Sequence, residues 1–162
     1  MNIRIRQVKP NDLDEITRIE SICFPEAEAA TKESFKYRIA AFPKSFYVAL
    51  DEEKIIGFIN GAVTNYNTIV DELYEPEGGH NPEGKNQSIF GLDVLPKYQR
   101  QGIAEKLMRH MMEKSKESRR EKMILTCKER LIHYYEKFGY ENKGISQSVH
   151  GGVTWYDMEA KL

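Results

Sequence analysis

Ile3 and Ile5 alternate with Arg4 and Arg6, a period of two that predicts a strand at the start of the chain. The period then lengthens. Leu13, Ile16, Ile19 and Ile22 recur at the spacing of one helix face, and Asn11 stands where an N-cap belongs. A second helix is predicted after Thr31, again a capping residue, with Phe35, Ile39 and Phe42 on its inner stripe. Pro43 stops it. The runs Phe46 to Leu50 and Ile55 to Ile59 flank the polar turn Asp51-Glu52-Glu53-Lys54, which predicts a hairpin.

From Asn65 to Gln87 the chain turns polar and rich in Gly and Pro, and reads as a long loop. Loops of that length inside compact domains are functional or disordered. The second half changes character. Ile89 to Leu95 reads as a strand, Gly102 to about Glu117 as a helix, and Met123 to Cys127 as a short buried strand. A helix follows near Leu131 to Phe138, and strands close the chain through Trp155 to Met158. This order predicts an α/β (α+β) architecture, a mixed sheet with crossover helices on its faces. No repeat, linker or low-complexity segment interrupts it, so residues 1–162 are expected to form a single domain.

Composition removes several classes of function. With 40% hydrophobic residues, 30% charged residues and a net charge of −1, the chain lacks the basic excess of a nucleic-acid binder. Its apolar stretches are strand-sized, and Met1 to Arg6 has no signal-peptide core, so no membrane span or export is expected. Cys23 and Cys127 lie far apart and form neither a metal-ligand spacing nor a disulfide framework. A reducing, cytoplasmic setting without a metal is the expectation.

The informative segment is Leu92-Asp93-Val94-Leu95-Pro96-Lys97-Tyr98-Gln99-Arg100-Gln101-Gly102-Ile103-Ala104. A buried strand ends at Pro96, and a polar turn leads through Gly102 into a helix whose apolar face is Ile103, Leu107 and Met111. Such a turn gathers unpaired N–H groups and the positive end of a helix dipole, which suits an anion. Gly102 allows close approach to a phosphate, and Arg100 adds a cation. The turn lacks the Walker pattern and the three spaced glycines of a dinucleotide fingerprint.

Gln99-Arg100-Gln101-Gly102-Ile103-Ala104 resembles the Q/R-x-x-G-x-G/A acyl-CoA signature of the GNAT acetyltransferases, with Leu92-x-Val94-x-Pro96 before it at the usual spacing. Leu131 and Tyr135-Glu136-Lys137-Phe138-Gly139-Tyr140 resemble the block before the last strands of the serotonin (arylalkylamine) N-acetyltransferase branch. Phe24-Pro25-Glu26-Ala27-Glu28-Ala29-Ala30-Thr31 is similar to the substrate loop of its bacterial relatives.

The resemblance implies a GNAT fold with a mostly antiparallel central sheet of about seven strands and helices on both faces. It implies acetyl-CoA as co-substrate and a small primary amine, an arylalkylamine or polyamine, as acceptor, attacking directly in a ternary complex. The alternatives are acetylation of a protein or peptide, and a non-catalytic acyl-CoA-binding regulator. The pyrophosphate is expected on the backbone amides of Arg100, Gln101, Gly102, Ile103, Ala104 and Glu105, and the pantetheine arm beside Leu92, Asp93 and Val94. A backbone N–H near Leu92 would serve the oxyanion.

Tyr135 corresponds to the family's general acid at the thioester sulfur. Ser88 and Phe90 stand where the serotonin enzyme carries two histidines, so no imidazole base is expected on that strand. Ser88 is assigned to holding a water that relays the proton. Of His80, His110, His133 and His150, the nearest in sequence to Tyr135 is His133, which makes it the best candidate for a base. Phe24, Pro25, Phe90 and Trp155 are assigned to an apolar substrate slot; Glu26, Glu28, Asp71, Glu72, Glu75, Glu77 and Glu83 read as solvated loop charges, with attraction of a cationic amine as the alternative. Pairing of two copies through the last strands is open to this fold.

Overall fold

The computed structural model describes residues 2–75 and 79–162; Glu77 of the acidic set lies outside them. Along the chain run β1 (Ile3–Gln7), α1 (Leu13–Cys23), α2 (Lys32–Ala41), β2 (Phe46–Asp51), β3 (Lys54–Asn60), β4 (Val63–Thr64) and β5 (Asn86–Ser88). There follow β6 (Gly91–Val94), α3 (Ile103–Glu117), β7 (Lys122–Cys127), α4 (Ile132–Glu136), β8 (Glu141–Ile145) and β9 (Tyr156–Lys161).

The single central sheet expected from sequence divides into two. One has the order β1-β2-β3-β6, the other β4-β5-β7-β9-β8. Pairing is antiparallel except between β5 and β7, which is parallel. The physical cause lies in the predicted strand Ile89 to Leu95, which is broken at its start. Phe90 N–H donates to Asn60 O at 2.7 Å, yet Gly91 is the register partner of Asn60. Two residues therefore oppose one, which is a β-bulge and bends the strand. Before the bulge, Ile89 N–H still reaches Ile124 O of β7 at 2.9 Å. After it, among the described residues, β6 pairs only with β3, and a gap opens between β6 and β7.

The layers follow the apolar pattern. Phe35 of α2 packs on Phe46 and Phe58, with ring centroids 5.6–6.2 Å apart, and all three are fully buried. Ile103, Leu107, Met108 and Met111 bury the inner stripe of α3, and one hydrophobic cluster reaches both sheets, from Val8 to Ala160. Burying side chains of this size stabilises by about 1.5–3 kcal/mol each.

Two helix details differ from the sequence reading. Asn11 does not cap α1; it sits exposed in a 3-10 turn, and Asp12 accepts from Lys9 N–H at 2.8 Å instead. Ile22 is 45% exposed, and the buried face of α1 continues instead through Glu20 and Cys23. Thr31 does cap α2, accepting from Ser34 N–H at 3.1 Å. The long segment before β5 is partly anchored: Ile69 and Leu73 bury themselves with Ile124. No helix of the described residues is long and apolar enough to cross a membrane.

Candidate active site

The turn between β6 and α3 is built for close approach. Arg100 and Gly102 both take positive φ, 62° and 82°, the left-handed region that a residue with a Cβ enters at a cost of about 1–2 kcal/mol. A Cβ on Gly102 would meet nothing within 4 Å, so the side of the turn facing outward is open. The first helical N–H groups, of Ile103, Ala104 and Glu105, have no carbonyl within the helix to reach. Arg100 stands exposed beside them. Open backbone donors, a dipole and a cation together fit a phosphate group. Ile103 anchors the turn in the core, Ala104 packs half-buried against it, Gln101 Nε2 donates to Lys97 O, and Glu105 pairs outward with Arg109.

The gap beside β6 supplies further main-chain groups. Leu95 N–H donates to Ile56 O, and the register pairs Asp93 with Phe58 and Gly91 with Asn60. Antiparallel alternation therefore turns the backbone of Leu92 and Val94 away from β3, toward the gap. Val94 O is taken there by Gln99 Nε2 at 3.0 Å and Cys23 Sγ at 3.4 Å, which leaves Leu92. Asp93 departs from its assigned place beside the pantetheine arm: its backbone faces β3, and its side chain is buried on the side of α1.

A cavity of about 770 Å³ opens onto this gap, with Gly91, Leu92 and Tyr135 in its wall. The assigned substrate residues Phe24, Pro25, Phe90 and Trp155 all line it. An aromatic row crosses the wall: Phe90 lies 4.9 Å from Tyr74, and Tyr74 stacks on His150 at 5.2 Å. Trp155 Nε1 donates to His150 O at 2.7 Å. Arg38 is buried in the same wall with its guanidinium 4.8 Å above Phe90 and donating to Asn60 Oδ1 at 2.9 Å. Lys128 pairs with Glu28 at 3.0 Å, and Asp71 accepts from Ser148 at 2.6 Å.

Burial pushes the Tyr135 phenol above its ordinary value, with Tyr134, Cys127 and Asp93 adding to the effect, so it stays protonated at neutral pH. Burial likewise pushes Cys23 up to about 12 and Cys127 up to about 11. Both thiols line the cavity, and neither forms the thiolate that a covalent acyl intermediate requires.

Two assigned catalytic residues are not brought to the cavity. The Ser88 hydroxyl is fully buried and donates to Ala62 O at 2.7 Å, which leaves it no free proton with which to anchor a relay. His133 has a side chain 98% exposed and bonds to Glu136 at 2.9 Å, on the outer face of α4. Proximity to Tyr135 in sequence misplaced it, because two residues apart on a helix means opposite directions. His80 and His110 also lie elsewhere: His80 accepts from Val63 N–H, and His110 packs on Tyr47. The histidine in the cavity is His150, whose Nε2 is 2.9 Å from Glu28 O. Sequence reasoning passed over Glu20, Arg38 and Asn60. The signal for the first two was a charge inside an apolar helical stripe: Glu20 between Ile16, Ile19 and Cys23, and Arg38 between Phe35 and Phe42.

The sequence profile of the Acetyltransferase (GNAT) family matches residues 13–140. A protein of Bacillus subtilis named "Probable hydrolase YhcX" is 30% identical over 114 residues, 64% of this chain but 21% of that protein, so the chain spans about a fifth of its length. Serotonin N-acetyltransferase of Mesocricetus auratus is 20% identical over 161 residues, covering 97% of this chain and 76% of that one. The crystal structure of the loading GNATL domain of CurA from Lyngbya majuscula superposes with a TM-score of 0.86 at 16% identity, covering 99% and 98% of the two chains.

Proposed function

The chain belongs to the acetyltransferase (GNAT) family, and from that premise we propose that it transfers an acetyl group from acetyl-CoA to a primary amine by direct attack in a ternary complex. The observation that carries this reading is the alignment of three features along one path. The open turn at Gly102 comes first, then the unpaired backbone of Leu92 in the gap, then the cavity holding Tyr135.

On this reading the turn receives the pyrophosphate on the N–H groups of Ile103 to Glu105, with Arg100 alongside. The pantetheine arm lies against β6 as an added strand would, using the main chain of Leu92. Leu92 N–H points where negative charge develops on the thioester oxygen, and a fixed dipole there needs no reorganisation during reaction. Tyr135 gives its proton to the departing sulfur. The burial that raises its phenol also raises a thiolate formed beside it, as the neighbouring Cys127 shows. The donor and acceptor therefore stay matched.

The aromatic wall of Phe90, Tyr74, His150 and Trp155 favours an acceptor with a flat apolar body, an arylalkylamine, over an aliphatic polyamine. The test is release of free thiol from acetyl-CoA against a panel of arylalkylamines, aliphatic diamines and short peptides. Turnover with arylalkylamines is expected. Turnover with peptides alone would move the protein to peptide acetylation, and CoA binding without thiol release would make it a regulator.

A further inference from the structure

The proton on the attacking amine has no acceptor among the residues first assigned, and the wall of the cavity contains a group of polar atoms that the proposed reaction has not used. Glu20 of α1 faces the cavity, and Asp93 of β6 lies behind it, 1% exposed. Glu20 Oε2 accepts from Ala30 N–H at 2.8 Å, but Glu20 Oε1 and both Asp93 carboxyl oxygens have no hydrogen-bond donor among the described residues. Asn60 Nδ2, fully buried, has no acceptor among them either. The orientation of that amide is fixed, because its Oδ1 must face the Arg38 donor. These orphan atoms converge. A Cβ built on Gly91 would lie 3.3 Å from Asp93 Oδ1, 3.4 Å from Asn60 Nδ2 and 3.9 Å from Glu20 Oε1. The bulge residue Gly91, itself in the cavity wall, is therefore the thin cover over Asp93 and Asn60, while Glu20 lines the substrate space itself.

Burying a carboxylate without a partner is expensive, and burying two side by side is more so. The two carboxyls lie close enough to share a proton, and a shared proton removes both the repulsion and one orphan oxygen. Burial, with Glu20 beside it, holds Asp93 well above the usual carboxylate range, so Asp93 is the member that keeps the proton. Arg38 forms no salt bridge among the described residues, and the remaining negative charge of the pair is its nearest balance. The other titratable groups around the pair are Cys23 on α1 and Tyr135 on α4, which act on Asp93 directly, and Tyr74 before β5, which faces Arg38. All three are held in their neutral forms by burial, and none competes for the role.

We infer that Glu20 and Asp93 form a carboxyl pair in which Asp93 holds a shared proton and the Glu20 carboxylate, facing the cavity, takes the proton from the substrate ammonium group. This rests on the amine-acetylating reading of the same cavity. The balance is simple. The ammonium gives one proton to Glu20, and the freed nitrogen lone pair forms the C–N bond as the C–S bond breaks. The sulfur takes the Tyr135 proton, and the second nitrogen proton replaces it on Tyr135. Glu20 then returns its proton to solvent through the cavity mouth. Asp93 and Asn60 act through Glu20 as positioning residues.

Two measurements test the pair. The infrared carboxyl stretch of a protonated acid is expected from the free protein at pH 7 and should vanish in Asp93→Asn; its absence from the native protein would overturn the shared proton. The second compares 2-phenylethylamine with its β,β-difluoro analogue, whose amine is largely neutral at pH 7. Glu20→Gln keeps the Ala30 bond through its amide oxygen, and should retain the acetyl-CoA-induced rise in melting temperature. Its kcat/KM should fall by about a hundredfold with the first amine and only a few-fold with the second, because an acceptor already neutral needs no base. Equal losses with both amines would make Glu20 a structural residue and sink the base role. If the native protein released no thiol with any amine, the transferase reading would fail and the base role with it, while the infrared band would still decide the proton pair.

Discussion

Two hollows in this protein resemble each other in size and differ in how their polar groups are treated. The cavity beside Tyr135 measures about 770 Å³; a second hollow, between β1, β2 and α3, measures about 510 Å³. In the second, polar groups have partners. Arg6 holds Asp12 at 2.8 Å, Tyr47 donates to Lys44 O at 2.6 Å, and Ser45 donates to Gln87 at 2.9 Å. Ser115 donates to Met111 O, and Arg120 to Gly84 O. The first hollow leaves Glu20, Asp93 and Asn60 with orphan atoms. Orphaned buried groups cost about 1–3 kcal/mol each, so a fold tolerates them only where packing or chemistry elsewhere compensates. Volume alone does not separate a site from a packing defect; unsatisfied polarity beside a bulged strand does.

Substitutions sharpen this contrast. The largest effect is expected from Gly102→Glu, which forces a side chain into φ 82° and places an anion at the opening of the turn. Acetyl-CoA at a hundred times its Kd should stabilise the native protein by about 2.7 kcal/mol, and the variant should lose that rise in melting temperature. Gly102→Ala, which adds a Cβ at the same left-handed φ but no charge, is the comparison and should lose less of the rise than the glutamate variant. An unchanged rise in the glutamate variant would mean that the turn holds no phosphate.

Next comes Tyr135→Phe, which should fold, bind CoA and lose roughly a hundredfold in kcat when chemistry limits the rate. A normal kcat would return Tyr135 to a packing role against Tyr134 and Tyr140.

A smaller effect concerns pH. Burial holds His80 and His110 below their usual pKa, so the unfolded chain binds more protons than the folded one once pH drops below about 6.5. Stability is therefore complete above that pH and declines as pH falls through the two depressed values. Melting temperatures recorded from pH 7.5 to 5 should show the decline, and the double variant His80→Gln, His110→Gln should flatten it. The smallest effect is Lys114→Ala in the second hollow, where an exposed pair with Glu117 at 3.5 Å is worth under about 1 kcal/mol. Acetyl transfer should stay within twofold of the native rate; a large loss would give the second hollow a part in the reaction.

What the sequence determined by itself was whatever local physics decides. The alternation at Ile3 to Arg6, the Thr31 cap, the hairpin around Glu52 and the glycine turn before α3 appear where periodicity and turn chemistry place them, because each depends on residues a few positions apart. The gathering of Phe24, Phe90 and Trp155 on one cavity was foreseen through family likeness and not through spacing. The tertiary structure decided the rest. Whether Ser88 faces a cavity or a carbonyl depends on Ala62, twenty-six positions away. That Phe90 and Gly91 share one partner, so that a strand bends and a sheet divides, depends on the register with Asn60. Glu20 and Asp93 stand seventy-three positions apart, and no periodicity links a residue of α1 to one of β6. Only the packing of that helix on that strand brings the two carboxyls together, and it removes the water that would otherwise have kept them independent.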